Sequence, residues 1–562
     1  ETNDSPTAYK YNYETVDNDI TNTLIYTLDN GLKIYMSINK DEPRIQTNIA
    51  VNTGSKQDPS DATGLAHYLE HMVFKGTSKI ATINWDKEKV ILSEISNLYE
   101  KRRNTTDEDE RKAIYRKIDS LSGLAAQYAV PNEYDKMISS IGAKGTNAYT
   151  SVERTVYINE IPSNEFEKWL SIEAERFSEL VLRLFHTELE AVYEEYNRGK
   201  DNDYRLAYET MSAKLFKKHT YGTQTTIGTG EHLKNPSMEK IHQYFNDWYV
   251  PNNMAIILSG DINPDLTVDL IKQYFGTFES KEVPIFEAAV EDEITEPEYI
   301  TVTGTNTAWV NIGYRLPGIK SEDIYMMDLF DGLLNNGQAG LIDLNLIKGQ
   351  KVLDAYCYGD VMKDYSVFEL QGVPREGQSL DEVKDLLLAE IEKIKSGDFE
   401  DWILKAVIKN FKLREQEGLL YNRVRASLMT NAFILGQQWS DVVNMKEKLN
   451  KVSKQNIIDF ANKYFKDNYV VVYKENGVRN SPKVEKPEIT QVQLNRDTSS
   501  LFAENFYSNI SSRLTPIFDD FGKEITKDSL ESGINLYHVK NKSNETFSLN
   551  YVLEMGSFSD RE

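Results

Sequence analysis

Two of the seven histidines in this 562-residue chain stand four apart, in His67-Tyr-Leu-Glu-His71, with Glu70 between them. The pentapeptide lies in Gly64-Leu-Ala-His-Tyr-Leu-Glu-His-Met-Val-Phe-Lys-Gly76, an apolar segment bracketed by glycines that reads as a helix. At about 3.6 residues per turn, His67 and His71 share one face and Glu70 sits beside them. Two neutral imidazoles at that spacing can hold one Zn²⁺, and a carboxylate between them can move protons for a water at the metal. The plain alternative is an amphipathic core helix whose histidines happen to fall four apart. A third ligand separates the two readings, because hydrolytic zinc takes three protein ligands and keeps one position open.

The stretch Phe185–Arg198 offers four candidates: Glu188, Glu190, Glu194 and Glu195. Leu184, Leu189 and Val192 at helical spacing mark its inward stripe. Glu188 and Glu195, about two turns apart, share a face, and Glu194 points roughly a hundred degrees away from Glu195. Glutamates on a helix ordinarily form a solvated face, so spacing alone leaves all four open.

The elements that must position these residues carry motifs of their own. Strand-like Asn30-Gly-Leu-Lys-Ile-Tyr-Met36 is followed by Val51-Asn-Thr-Gly-Ser55 and the Gly64–Gly76 helix. Then come Gly145-Thr-Asn-Ala-Tyr-Thr150 with Thr155-Val-Tyr157, the Glu188–Glu195 segment, Tyr221-Gly222 and Asn252-Asn-Met-Ala-Ile-Ile-Leu-Ser-Gly-Asp261. In this order, over residues 25–475, the chain resembles the pitrilysin, insulin-degrading enzyme and mitochondrial processing peptidase family of zinc metallopeptidases, with its reversed His-x-x-Glu-His motif.

The resemblance implies a zinc-dependent endopeptidase that cleaves peptides or unstructured polypeptides in an enclosed chamber, with metal-activated water as nucleophile. It implies one Zn²⁺ per zinc-bearing domain, held by His67, His71 and Glu195, with Glu70 as general base and Glu188 supporting a histidine or the metal site. It further implies that substrate adds as a strand along Gly145, Asn147, Ala148 and Tyr149. In the family an Arg/Tyr pair from the C-terminal half also holds the substrate carbonyl, so the expected partners are peptides and a second half or second chain. The alternative within the family is a catalytically inactive scaffold or a peptide-binding subunit.

The 124 positions from His71 to Glu195 exceed the spacing in most relatives. The surplus falls in residues 85–130, where Val90, Ile91, Ile95 and Leu98, then Ile114, Ile118 and Leu121, recur at helical spacing around a break at Asn104-Thr-Thr-Asp107. This predicts an inserted helical hairpin that bears on substrate access.

A longer repeat organises the chain. Gly31–Asp58 aligns without gaps onto Gly533–Asp560, pairing Gly31/Gly533, Tyr35/Tyr537, Asn48/Asn550, Gly54-Ser55/Gly556-Ser557 and Asp58/Asp560. The expectation is a zinc-bearing domain at 20–265, an inactive sister domain at 290–475 and a linker at 476–515, overlapping the tether-like composition of Lys474–Phe506. A truncated second copy of the first domain at 516–562 would then make the chain an N-terminal half plus a stub. Strands followed by long helices, without a Rossmann glycine turn, indicate an α+β fold of tandem homologous domains, each a mixed β-sheet backed by helices. By the resemblance they form one bowl-shaped half of a clamshell peptidase. No histidine lies between His242 and His538, so the sister domain has no second histidine site.

Composition bounds the rest. A net charge of −24 opposes binding to nucleic-acid backbones. The apolar runs are too short to span a membrane. A single cysteine, Cys357, rules out an intramolecular disulfide framework and reads as a packed strand residue. It suits periplasm and cytoplasm alike; a periplasmic or cell-envelope location, with a signal segment already removed, is the expectation and a cytoplasmic one the alternative.

Overall fold

Among the described residues, thirteen strands and their covering helices follow from alternating and 3.6-periodic apolar patterns. The computed structural model describes residues 9–556 apart from 480–482, 485–488, 491, 493, 517, 519, 543 and 545. The first sheet contains β1 (Thr23–Thr27), β2 (Lys33–Ile38), β3 (Arg44–Val51), β4 (Lys144–Thr150), β5 (Thr155–Pro162) and β6 (Met254–Gly260), in the order β1-β2-β6-β3-β5-β4. The second contains β7 (Glu298–Gly304), β8 (Trp309–Pro317), β9 (Asp354–Val361), β10 (Tyr365–Val373) and β11 (Tyr469–Asn476), in the order β7-β11-β8-β10-β9.

The two orders are one topology. Each sheet has one parallel pair, β2 with β6 and β7 with β11, and its other neighbours are antiparallel. Among the described residues, the second sheet lacks only a counterpart of β1. After β3 comes helix α1 (Leu65–Val73), which carries both histidines; after β8 comes Met326–Leu334, which carries none. The α+β expectation of mixed sheets backed by helices therefore holds.

Between α1 and β4 lie α2 (Trp85–Asn104), α3 (Glu108–Ala126) and α4 (Glu133–Ser140). The α2–α3 turn falls at the sequence break, where the Asp107 side chain accepts from Glu110 N. Ile95, Tyr99, Ile114 and Ile118 bury the hairpin against the first domain's core. After β5 come α5 (Phe166–Ser178), α6 (Phe185–Lys200) and α7 (Asp203–Leu215).

The sheets exchange covering helices. Ala426, Met429, Ala432 and Ile434, from the helix Asn422–Leu435, pack on Ile25, Tyr35, Ala255 and Ile257 of the first sheet. In return, Ala207, Met211 and Leu215 of α7 pack on Trp309, Val470 and Val472 of the second. Each sheet thus has one face buried by a helix belonging to the other's stretch of chain.

The expected tether from Lys474 to Phe506 is corrected in two ways. Lys474 is fully buried inside β11, its ammonium 3.1 Å from Asp203, because a paired charge on an apolar stem continues the strand's inward alternation. Described residues between 484 and 506 are fastened to the first domain. Val484 exchanges hydrogen bonds with Asn197, Thr490 donates to Asp119, Ser500 N donates to Glu133, and Ala503 and Phe506 enter the core.

The hairpin of β12 (Thr526–Ser529) and β13 (Asn535–His538) repeats β1–β2 at an offset of 502. Leu28 N donates to Leu32 O at 2.9 Å and Gly31 N to Leu28 O at 2.8 Å; Leu530 N to Ile534 O and Gly533 N to Leu530 O have the same lengths. Ser557 and Asp560, which extend the sequence repeat, lie outside the described residues. Among the described residues no helix is long and apolar enough to cross a membrane. Cys357 is buried in β9.

Candidate functional site

Helix α1 begins at Gly64, whose φ of +84° and close approach to the Ile227 backbone leave no room for a side chain. The buried carboxylate of Asp58 accepts from Gly64 N at 2.7 Å and Ala66 N at 2.9 Å, satisfying donors the first turn cannot pair internally. Leu65, Leu69, Met72 and Val73 bury one face. The opposite face carries His67 and His71, with ring centroids 4.8 Å apart.

Across from them runs α6. Glu195 Oε2 lies 3.5 Å from His67 Nε2 and 3.8 Å from His71 Nε2. Glu188 faces the back of His71: His71 Nδ1–H donates to its Oε1 at 2.8 Å, and its Oε2 takes the Lys75 ammonium at 2.5 Å. Glu190 and Glu194 do not join the set. Among the described residues, His67, His71 and Glu195 form the only group of three or more metal-ligating side chains with ligand atoms within 4.8 Å of one another.

This donor set fits zinc. Two imidazole nitrogens and one carboxylate oxygen converge at separations near the ~3.4 Å expected for ligands about 2.1 Å from a tetrahedral ion. The Glu188 bond leaves the His71 Nε2 lone pair facing the site. Burial, helped by His71 and Arg205, lowers His67 to about 4, so its ring is neutral. Burial also opposes charge on His71, but the hydrogen bond and charge of Glu188, with Glu195 and Glu70 nearby, outweigh it and raise His71. Glu188 is likewise penalised by burial, yet His71 and Lys75 hold it below the usual carboxylate range.

Glu70 is buried and raised above the usual carboxylate range, chiefly by burial and further by Glu195. Its Oε2 accepts from Thr150 Oγ1 at 2.7 Å, at the end of edge strand β4. Gly145, Asn147, Ala148 and Tyr149 lie along that strand, which pairs only with β5 among the described residues. A bulge between Lys144 and Asn147 coincides with Gly145 at φ +59°.

A cleft of about 360 Å³ opens beside His67, lined by His67, Thr150, Glu195, Arg205, Tyr208 and Tyr221 among others. No residue of α2 or α3 lines it. The hairpin instead packs behind the site, where the buried ring of His186 meets Tyr99, Tyr115 and Asp119. Lys75 and the α7 residues Arg205 and Tyr208 were not singled out from the sequence, and Thr150 entered only as the end of the Gly145–Thr150 strand motif. Lys75 had a readable signal, four positions beyond His71 on the same helical face. The contact of Thr150 with Glu70, 80 positions away, had none.

The family model described as insulinase (peptidase family M16) matches residues 34–105 and 121–229, and that described as peptidase M16 inactive domain matches 237–411. The zinc protease PqqE of Helicobacter pylori is 21% identical over 453 residues, covering 78% of this chain and 90% of that protein. The crystal structure of a protease from Helicobacter pylori superposes with a TM-score of 0.67 at 21% identity, over 80% of this chain and 98% of that one. The periplasmic protease PqqL from Escherichia coli superposes at 0.63 with 16% identity, over 92% of this chain and 56% of that one. At these identities the superpositions establish the fold alone.

Proposed function

The chain belongs to the insulinase peptidases, peptidase family M16, and we propose that within that family it is a zinc-dependent endopeptidase acting on peptides or unstructured polypeptides. The observation that carries this reading is the convergence of Glu195 Oε2 on His67 Nε2 and His71 Nε2, with Glu70 buried beside them. His67, His71 and Glu195 would hold the ion. Zinc in such a site polarises a carbonyl and makes water acidic enough to be deprotonated near neutral pH.

The chain's own residues do the rest. Glu188 fixes the tautomer and orientation of His71, and Lys75 keeps Glu188 ionised. Glu70, held by Thr150, accepts a proton from the attacking water and returns it to the leaving amine. Burial brings its proton affinity closer to that of the groups it serves. The outer edge of β4 offers backbone donors and acceptors to an extended peptide, so binding would depend little on side chains; Gly145, Asn147, Ala148 and Tyr149 are the proposed contacts. This chain spans about half of the Escherichia coli protease it superposes on, which supports closure of the cleft by a second half or a second chain. The periplasmic location of that protease supports a periplasmic or cell-envelope site for this chain, which a single buried cysteine permits.

The test is zinc content of the wild type and of Glu195→Gln, with cleavage of a quenched unstructured peptide measured with and without chelator. One zinc per chain that is lost in the variant, with chelator-sensitive cleavage abolished in Glu70→Gln while zinc remains, is expected. Unchanged cleavage in Glu70→Gln would remove the assigned base. Zinc without any cleavage, with or without an added second half, would favour the peptide-binding subunit.

A further inference from the structure

The proton-carrying role proposed for Glu70 rests on a side chain that must be held in one place, and the support for it runs out of the first domain. Thr150, which donates to Glu70, is the last residue of β4 before the turn Ser151–Arg154, closed by Ser151 N donating to Arg154 O at 2.8 Å. That turn is pinned from below by Ser55 N to Ser151 O at 3.0 Å and Lys56 N to Val152 O at 2.9 Å. Gly54 lies so close to Ser151 and Glu153 that a Cβ there would strike their backbone.

At the centre of the turn sits Glu153, its side chain 2% exposed. It accepts from the Lys56 ammonium at 2.9 Å, from the Tyr221 hydroxyl, and from the backbone N–H of Lys363 at 3.0 and 3.2 Å. Lys363 and Asp364 form the β9–β10 turn of the second sheet. Asp364 closes the cluster: its Oδ2 is 2.8 Å from Lys56 Nζ and 3.3 Å from the fully buried His219 Nε2. Lys363 Nζ also donates to Asn52. A carboxylate this buried, bonded by one lysine ammonium, a tyrosine hydroxyl and a backbone N–H from three segments, has one available position. The same tyrosine lines the cleft.

We propose that Glu153 is a positioning residue for Glu70, acting through Thr150 and locked in place by the Lys363–Asp364 turn of the histidine-free second sheet. The sister domain thereby shapes the proton-transfer site without contributing a group to it. This rests on the reading of Glu70 as the proton carrier.

Two measurements test it. In the metal-free protein, Asp364→Asn, at a side chain 23% exposed, is expected to raise amide hydrogen exchange in residues 149–155 by about tenfold while α1 and the rest of the first sheet keep their protection. Unchanged exchange there overturns the proposal whether or not the chain cleaves anything. In the zinc-loaded protein, Glu153→Gln and Thr150→Val are each expected to lower kcat about tenfold with KM and zinc stoichiometry unchanged. Their combination is expected to lose no more than Thr150→Val alone, with Thr150→Ser retaining activity. Additive losses would make Glu153 merely structural. A wild type that cleaves no peptide would defeat the functional reading, and the exchange result would still decide the positional one.

Discussion

Glu188 holds His71 from behind: Oε1 accepts from Nδ1 at 2.8 Å, while the facing Nε2 turns toward Glu195. The arrangement separates two glutamates of one helix into different tasks. Glu195 approaches the histidines directly, and Glu188, seven residues earlier, sets which nitrogen of His71 is free. Replacing Glu188 by Gln keeps the shape but weakens the acceptor and leaves Lys75 unpaired. Zinc affinity is expected to fall about 10–100-fold, measured by chelator competition, with the fold intact by circular dichroism. Equal affinity would mean the bond to His71 is incidental.

Gly31 and Gly533 give a second contrast. Both have φ +83°, the left-handed conformation of a tight turn. A Cβ on Gly31 would stand 2.7 Å from Asn252 Cβ, whereas nothing lies within 4 Å of one on Gly533. Gly31→Ala is therefore expected to cost more than the ~1–2 kcal/mol of left-handed backbone strain, and Gly533→Ala, on an exposed hairpin, to leave the melting temperature unchanged. Equal destabilisation by both would show that the second hairpin is integrated into the fold.

These positions also indicate what was legible in the sequence. His67, Glu70 and His71 were readable because helical spacing is local, and the Gly31/Gly533 repeat because identical turns need identical residues. Glu195 was one of four candidate glutamates until the resemblance ordered them, since several spacings on α6 present a carboxylate and only the packing angle against α1 brings one to the histidines. The exchange of Asn422–Leu435 and α7 between sheets was not readable, because an amphipathic helix records that it has a partner and not which partner. Lys474 misled for a related reason: a lysine within a polar stretch reads as linker unless its buried counterion, Asp203, is known.

Glu369 provides a pH-dependent test of the second sheet. It is buried on β10, and burial, with Asp360 nearby, pushes its carboxyl up to about 7 against the pull of Tyr358 and Asn311. The folded state then holds a proton that the unfolded state releases near pH 4.5. Its contribution to stability is fully present below that value and is lost as pH rises through about 7. Thermal melts from pH 5 to 8.5 are expected to fall more steeply for the wild type than for Glu369→Gln, with a difference of at most about 3 kcal/mol. Parallel curves would mean the carboxylate is ionised in the folded protein at neutral pH.

The pair Lys474–Asp203 decides how firmly α7 is held against the second sheet. Asp203 opens α7, and its Oδ2 takes both the Lys474 ammonium at 3.1 Å and Asn306 N at 2.8 Å. Gly304 leaves space for the carboxylate, since a Cβ there would strike it. Both side chains are almost fully buried. Lys474→Met alone strands a buried carboxylate and is expected to cost about 3–5 kcal/mol, whereas Lys474→Met with Asp203→Asn removes the uncompensated charge and recovers most of that loss. Because α7 carries Arg205 and Tyr208 to the cleft wall, the single variant is also expected to lose peptide cleavage at a lower temperature than it loses bound zinc, which depends on α1 and α6. Simultaneous loss of both would mean that α7 and the metal site unfold as one unit.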